Sequence, residues 1–367
     1  MTKPSARVLL LSPVDLSTPP GGRAMLGRML LLLLGDLLGD RLVHVRPTHG
    51  RSPARGAWRG HVDGVDAALL DTLIATISDE RITQMVVDGS NFGAAVAAVK
   101  ARAPQVRIVT LFHNVEARFF WGAVRARPGL KSLAVLAANY VAERKAVRAS
   151  DVLVTLSARD SAGLRRLYGR EGDAVLPMVL EDKAPAPCAP RSPRAPIAPY
   201  ALFVGGGFYA NIAGIRWYLR AVAPRVTLPV RVVGHGMEAI ADECARTPNA
   251  TLVGAVDDLA PHYRDAACVI APIFDGSGMK TKVAEALMFG KHVIGTPEAF
   301  SGYADDVVAA NWCCTDADGF VVAITQALAN PAPSHDPAMR ALYERDHAPA
   351  AARRRLAAIL GLQVSAA

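Results

Sequence analysis

The chain has 367 residues, 51% of them hydrophobic and 20% charged. That is enough apolar material for two packed cores at the usual domain size of roughly 100 to 200 residues, and a disordered chain is not the default expectation. The formal net charge of +8 is one-sided, since residues 1–185 hold 25 Lys and Arg against 17 Asp and Glu while the remainder holds 16 of each.

Five cysteines (Cys188, Cys244, Cys268, Cys313 and Cys314) form no C-x-x-C pair. Neither a disulfide framework nor a structural metal is expected, and a reducing compartment fits. The first apolar run, residues 8–11, is only strand length, with no basic segment and long apolar core of the kind that directs export, so a cytoplasmic protein is expected. The most membrane-like run, residues 29–34, gives way to Gly35, Asp36, Gly39 and Asp40. It is far short of the roughly 20 residues that span a bilayer and reads as a buried helix.

Strands are expected at residues 7–12, 84–88, 106–112 and 152–156, alternating with helices at 23–42, 64–79, 91–102 and 131–150. Such alternation builds a parallel sheet covered on both faces. Between residues 183 and 199 stand Pro185, Pro187, Pro190, Pro193, Pro196 and Pro199, a composition that favours extended backbone and marks a linker. Beyond it the pattern resumes, with strands at 200–204, 230–233, 251–254, 268–271 and 292–295. A last helix over about 337–360 has no strand to feed and is expected to return to the first domain. The expected division is therefore 1–182, the linker 183–199, 200–335, and a final 336–367. The expected fold class is α/β, with two tandem Rossmann-like doubly wound domains facing a cleft and the chemistry in loops after strands. No fixed short repeat is present, which argues against a solenoid or propeller.

The most informative segment is Ala271-Pro-Ile-Phe-Asp-Gly-Ser-Gly-Met-Lys-Thr-Lys-Val-Ala-Glu-Ala, in which a strand ends, a Gly-Ser-Gly turn follows and a helix begins. A helix start has unpaired N–H groups and about half a positive charge, and Gly276 and Gly278 let a diphosphate approach the backbone. Lys282 adds a full charge, and Glu285, three residues on, shares its helical face and can accept both hydroxyls of a ribose. On spacing alone the same two side chains equally fit an ordinary solvated i,i+3 pair beside a plain turn. A P-loop is excluded because neither Lys280 nor Lys282 follows a glycine. The second cluster, Gly205-Gly206-Gly207 with Ala210, loosely matches G-x-G-x-x-A. The next strand, however, ends in Gly234-His235-Gly236 rather than in the acidic residue a nicotinamide enzyme would use.

Residues 200–328 resemble the nucleotide-binding domain of a GT-B glycosyltransferase and are similar to the large retaining class that is family four. The marks are Leu202-Phe-Val-Gly-Gly-Gly-Phe-Tyr-Ala-Asn with Trp217, Val232-Val-Gly-His-Gly, Val253-Gly-Ala-Val-Asp-Asp-Leu with Tyr263, Gly276-Ser-Gly-Met-Lys-Thr-Lys-Val-Ala-Glu-Ala and Gly290-Lys-His-Val-Ile-Gly-Thr. Of the family's two glutamates eight positions apart, the second matches Glu285 and the first falls on Ser277. That departure is shared with a subgroup whose turn reads Gly-Ser-Gly-Thr-Arg-x-Lys, to which Lys280 and Lys282 correspond. The first half resembles the family's acceptor domains more loosely, through Gly21-Gly22, His113-Asn-Val-Glu116 and Glu143-Arg-Lys-Ala-Val-Arg-Ala-Ser-Asp.

The resemblance implies transfer of a sugar from a UDP- or GDP-linked donor to a saccharide or lipid-linked acceptor, with retention, in cell-surface polysaccharide or glycoconjugate synthesis. It implies donor contacts at Gly21, Gly22, Gly205, Gly206, Gly207, Val256, Ser277, Gly278, Met279, Lys280, Lys282 and Glu285. His113, Lys282 and Glu285 take the catalytic positions. The nucleotide sugar is a co-substrate, and no cofactor is expected. No metal is expected either, since the helix start and the lysines would carry the leaving-group charge and no Asp-x-Asp stands in a cleft loop; Asp257-Asp258 is adjacent spacing. Around Arg118-Phe-Phe-Trp121, Arg125, Arg127 and Lys131, bulky apolar groups mix with positive charge. That mixture fits either peripheral contact with an anionic inner-leaflet membrane or buried aromatics with a solvated basic rim. Nucleic acid is not an expected partner. A nucleotide-sugar epimerase on the same plan, and a non-catalytic nucleotide-sugar-binding pseudo-transferase, are the alternatives.

Overall fold

A computed structural model describes residues 7–17, 22–47, 54–184, 198–276, 278–330 and 335–362. The chain divides into two compact units, one formed by Met1–Val179 with Pro349–Ala367 and the other by Leu180–Ala348.

The first unit follows β1 (Arg7–Leu11), α1 (Gly22–Leu38), β2 (Leu42–Val45), α2 (Ala67–Asp79), β3 (Ile82–Asp88), α3 (Gly93–Arg102) and β4 (Arg107–Phe112). It continues through α4 (Glu116–Ala126), α5 (Leu130–Ala149), β5 (Val152–Thr155), α6 (Ala158–Tyr168) and β6 (Ala174–Val175). Its six strands are all parallel in the order β2-β1-β3-β4-β5-β6. Val8, Leu9, Leu10 and Leu11 of β1 are fully buried, as expected of a parallel strand covered on both faces, which needs no polar alternation.

Several expected boundaries shift for local reasons. The helix expected over 23–42 stops at Leu38, because Gly39 adopts a left-handed φ of +52°, and the following Leu42–Val45 is free to become strand β2. The helix expected from residue 64 starts at Ala67, where the Asp66 side chain accepts from the Leu69 amide at 2.9 Å and supplies the cap. Helix α4, which periodicity did not reveal, is started by a side chain remote in sequence. Glu143, buried on α5, accepts from the Glu116 and Ala117 amides at 2.9 and 3.0 Å and from the Tyr168 hydroxyl at 2.7 Å.

The second unit runs β7 (Ala201–Val204), α7 (Tyr209–Ala221), β8 (Val230–Val233), α8 (Ala241–Ala245), β9 (Ala250–Gly254), α9 (Ala260–Asp265) and β10 (Cys268–Ala271). Then come α10 (Thr281–Met288), β11 (Val293–Gly295), α11 (Asp305–Ala309), β12 (Trp312–Cys313), α12 (Ala317–Ala329) and α13 (Pro337–Asp346). Its sheet is again six-stranded and parallel, ordered β12-β11-β10-β7-β8-β9. Two doubly wound parallel sheets in tandem are the fold class the alternation of strand and helix implied. Most of the expected linker, residues 185–197, lies outside the described residues.

The single last helix expected over 337–360 is two helices, α13 and α14 (Pro349–Leu360). Pro349 lacks an N–H and disfavours helical backbone at the residue before it, so the first helix ends and a second begins. Helix α13 belongs to the second unit and α14 to the first. There Ala352, Leu356 and Leu360 join the core with Leu30, Leu33 and Leu34 of α1. Among the described residues no helix is long and apolar enough to cross a membrane.

Candidate functional site

In an open parallel sheet, ligands bind beyond the carboxyl ends of the strands where the strand order reverses. In the second unit that point lies between β7 and β10, the neighbours from which the order runs outward in both directions. The loops leaving these two strands carry Gly205-Gly206-Gly207 and the segment from Pro272 to Lys280.

Two of the three glycines after β7 are confined by close neighbours, one by the loop after β8 and one by a side chain of α7. A Cβ on Gly207 would lie 2.6 Å from the Gly236 carbonyl oxygen, and a Cβ on Gly205 would lie 2.9 Å from the Asn211 side chain. A Cβ on Gly206 meets nothing closer than 3.7 Å, so only this glycine leaves room for another molecule. In the second loop Gly276 and Gly278 have φ values of +131° and +70°, which side chains rarely tolerate. Ser277 between them lies outside the described residues, as does Gly21 of the first unit. Gly22 is the first residue of α1.

Helix α10 begins with Lys280 at its N-cap, where no side chain caps the amides. Among the described residues, the backbone N–H groups of Gly278, Met279, Thr281 and Lys282 have no acceptor. The Val283 amide bonds to the Lys280 carbonyl at 3.1 Å. The next amide, Ala284, donates at 3.0 Å to the Tyr303 hydroxyl, which itself donates to the Lys280 carbonyl at 2.7 Å. One buried phenol is thus inserted into the first i→i−4 rung of the helix. It holds the turn without spending the amides ahead of it.

Lys282 is buried, 6% exposed. Its ammonium donates to Asn211 Oδ1 at 2.9 Å and lies 4.2 Å from the centre of the Phe203 ring. Asn211 in turn donates to the Gly206 carbonyl at 3.0 Å, which ties the lysine to the glycine loop. Burial lowers the Lys282 pKa to about 7; the nearby Glu285 carboxylate opposes this and the Lys280 charge adds to it. Among the described residues Lys282 forms no ion pair with Glu285, so the solvated i,i+3 pair that the spacing allowed does not form.

Glu285 instead accepts from the Tyr263 hydroxyl at 2.6 Å, and the Tyr263 ring stacks on Phe289 at 5.1 Å. Burial raises the Glu285 pKa, while the Tyr263 bond and the Lys282 charge draw it down. The phenol occupies Oε2, and Oε1 has no protein partner among the described residues. Lys280 donates to the Gly278 carbonyl at 2.9 Å and pairs with Glu298 at 3.0 Å, so its charge is engaged by protein. Met279 is half-buried beside it, and Val256 is half-buried in the loop after β9.

In the first unit the strand order reverses between β1 and β3. His113 follows β4 directly and is 8% exposed. Its Nε2 lies 2.5 Å from Asp88 Oδ1, and the Ser12 hydroxyl donates to Asp88 Oδ2 at 2.6 Å. The sequence pattern points to His113 but to neither Asp88 nor Ser12, which stand at the ends of separate strands. Asn211 and Tyr263 lie inside family-like segments whose pattern assigns them no role. Tyr303 carried no signal at all. The exposed apolar residues of this segment sit on two helices, Phe119 and Trp121 on α4 at 39% and 53% exposure and Leu130 and Leu133 at the start of α5 at 88% and 46%. No Asp or Glu occurs between Glu116 and Glu143.

Residues 198–330 match the family model described as Glycosyl transferases group 1. No curated protein matches the chain by sequence. Among solved structures, the chain is similar to the sucrose-phosphate synthase of Thermosynechococcus elongatus, with a TM-score of 0.70, 15% identity, and coverage of 97% of this chain and 98% of that one. It is also similar to HepE of Anabaena, solved in complex with UDP, with a TM-score of 0.69, 13% identity, and coverage of 97% and 99%. The lipopolysaccharide outer core galactosyltransferase WaaB aligns with a TM-score of 0.63 and 9% identity over 97% and 99% of the two chains. The two sheets and their helices therefore form the two-domain GT-B fold.

Proposed function

We propose that this chain is a glycosyltransferase that moves a sugar from a UDP- or GDP-linked donor to a saccharide or lipid-linked acceptor, without a metal. The supporting observation is the start of α10, where the unpaired amides of Thr281 and Lys282 stand beside the buried Lys282 ammonium and the half-open carboxylate of Glu285. The group 1 match over residues 198–330 and the UDP held by HepE support the same reading.

Cleaving the bond between sugar and diphosphate builds negative charge on the leaving oxygen. Fixed N–H groups and a desolvated ammonium stabilise that charge better than water, because their dipoles need no reorganisation. In this scheme the pyrophosphate lies against the α10 amides and Lys282, Glu285 Oε1 receives the ribose hydroxyls, and Gly206 leaves room for the donor. His113 contacts the transferred sugar. Retention of configuration follows the family-four resemblance. The acidic-free run from Ala117 to Ala142, with its exposed Trp121 and Leu130, supports docking on anionic inner-leaflet lipid and a role in cell-surface glycoconjugate synthesis.

A thermal-shift screen with UDP and GDP tests the binding step, since a ligand at 100 times its dissociation constant adds about 2.7 kcal/mol of stability. Lys282→Ala is expected to lower nucleoside diphosphate release from the cognate donor by roughly a hundredfold or more with the fold intact. Near-wild-type release in that variant, or no shift with either nucleotide, rules the proposal out.

A further inference from the structure

Ser12, Asp88 and His113 each stand at the carboxyl end of their strand or immediately beyond it, on the three adjacent strands β1, β3 and β4. The register pairs Leu11 with Val87 and Asp88 with Leu111, so the three side chains share one sheet edge at the reversal of strand order. All three are buried, at 0%, 3% and 8% exposure. Helix α1 lies close against the carboxylate: a Cβ on Gly27 would stand 2.4 Å from Asp88 Oδ2, so only glycine fits there.

We infer that Asp88 is a positioning residue which fixes the tautomer and ring orientation of His113, so that Nδ1 is offered as a hydrogen-bond acceptor to a hydroxyl of the transferred sugar. This rests on the reading of His113 as a donor-sugar contact. Asp88 already accepts the Ser12 hydroxyl on Oδ2, and an ionised carboxylate has no proton to give on Oδ1. The nitrogen 2.5 Å from Oδ1 is Nε2, so Nε2 carries the hydrogen. The other nitrogen of a neutral imidazole then bears a lone pair.

Among the described residues His113 Nδ1 is buried and has no hydrogen-bond partner. A buried polar atom left unpaired is uncommon and costly, which marks it as a group that a ligand completes. An acceptor at that position selects a hydroxyl and is unsuited to a phosphate oxygen, which has no hydrogen to offer. His113 therefore reads the sugar, and the diphosphate is left to the amides and ammonium at α10.

The test is ring 15N–1H correlation spectroscopy on protein with labelled histidine, with the His113 signals identified by their loss in His113→Gln. The expected ligand-free spectrum has His113 protonated on Nε2 and bare on Nδ1. In the isosteric Asp88→Asn variant an amide N–H can face Nε2 and move the proton to Nδ1. Affinity there for the nucleotide that wild type binds, UDP or GDP, is expected to stay within about threefold of wild type, while nucleoside diphosphate release from the cognate donor falls by roughly a hundredfold or more.

A wild-type ring protonated on Nδ1 overturns the inference, whether or not the variant folds. So does an Asp88→Asn protein that keeps the wild-type rate. Loss of rate with the ring protonation unchanged also overturns it, because Asp88 would then act on something other than His113. Failure of the wild type to bind either UDP or GDP counts against the nucleotide assignment, whereas the ring measurement needs no ligand and decides the role of Asp88 by itself.

Discussion

The sharpest consequence of the α10 geometry is that binding of a diphosphate depends on the protonation of one buried lysine. Burial holds the Lys282 pKa at about 7 against an ordinary value of 10.5. The groups around the ammonium are Asn211 Oδ1, the Phe203 ring, the Glu285 carboxylate and the Lys280 charge. A bound diphosphate supplies the counter-charge that burial removed and restores the protonated form. At pH 7 about half of the free protein carries that proton, and at pH 9 about one molecule in a hundred does. Affinity should therefore fall about fiftyfold across this range, equivalent to about 2.3 kcal/mol. The assay is isothermal titration with UDP or GDP in buffers of different ionisation enthalpy. Proton uptake is expected to rise from about half a proton at pH 7 towards one near pH 9. Lys282→Met, which fills the same space without a charge, should bind more weakly at pH 7 and lose the pH dependence. An affinity that stays level from pH 7 to 9, or binding without proton uptake, refutes this account of Lys282.

The same shift has a signature in the free protein. The folded pKa lies below the unfolded one, so the unfolded chain binds more protons between pH 7 and 10.5, and wild type should gain about 2 kcal/mol relative to Lys282→Met from pH 7 to 9 in denaturant titrations. Tyr303→Phe removes the hydroxyl that joins the Ala284 amide to the Lys280 carbonyl. It should cost about 1–3 kcal/mol in the same titrations and weaken nucleotide binding by calorimetry, and unchanged values for both would exclude the phenol as a support of the helix start. Glu143→Gln exchanges a carboxylate that accepts four hydrogen bonds for a group with one acceptor oxygen, so a loss of about 2–3 kcal/mol is expected. Replacing Arg125, Arg127 and Lys131 together by alanine should reduce co-sedimentation with vesicles rich in anionic lipid by roughly a hundredfold, at about 1 kcal/mol per charge, with nucleotide affinity unaffected. Equal sedimentation of variant and wild type would remove the membrane assignment.

Much of the scaffold was legible in residue order, because its information is local. Runs such as Val8–Leu11 and Cys268–Ala271 are continuous apolar stretches of strand length, and a parallel strand buried on both faces has no other signature. The Gly-Ser-Gly turn leading into Lys282 and Glu285 could be read as an anion-binding helix start for the same reason, since turn, helix start and charge follow one another along the chain. What failed at the boundaries was equally physical. The stop at Gly39 and the break at Pro349 lie inside apolar periodicity that continues through them.

The partners of the functional side chains were decided only by the tertiary structure. Nothing in the spacing of Lys282 and Glu285 chose between a solvated pair and two separate buried contacts; the fold chose by bringing Asn211 and Phe203 to the lysine and Tyr263 to the glutamate. Tyr303 reaches the first rung of α10 from 19 residues beyond Ala284. Ser12 and His113 meet Asp88 across 76 and 25 residues. Helix α4 takes its cap from Glu143, 27 residues beyond Glu116. Local sequence fixes which backbone amides stay free and where charge is available. Burial and pairing depend on residues that only the folded sheets bring together, and these decide whether a lysine is half-neutral or which nitrogen of a histidine holds the proton.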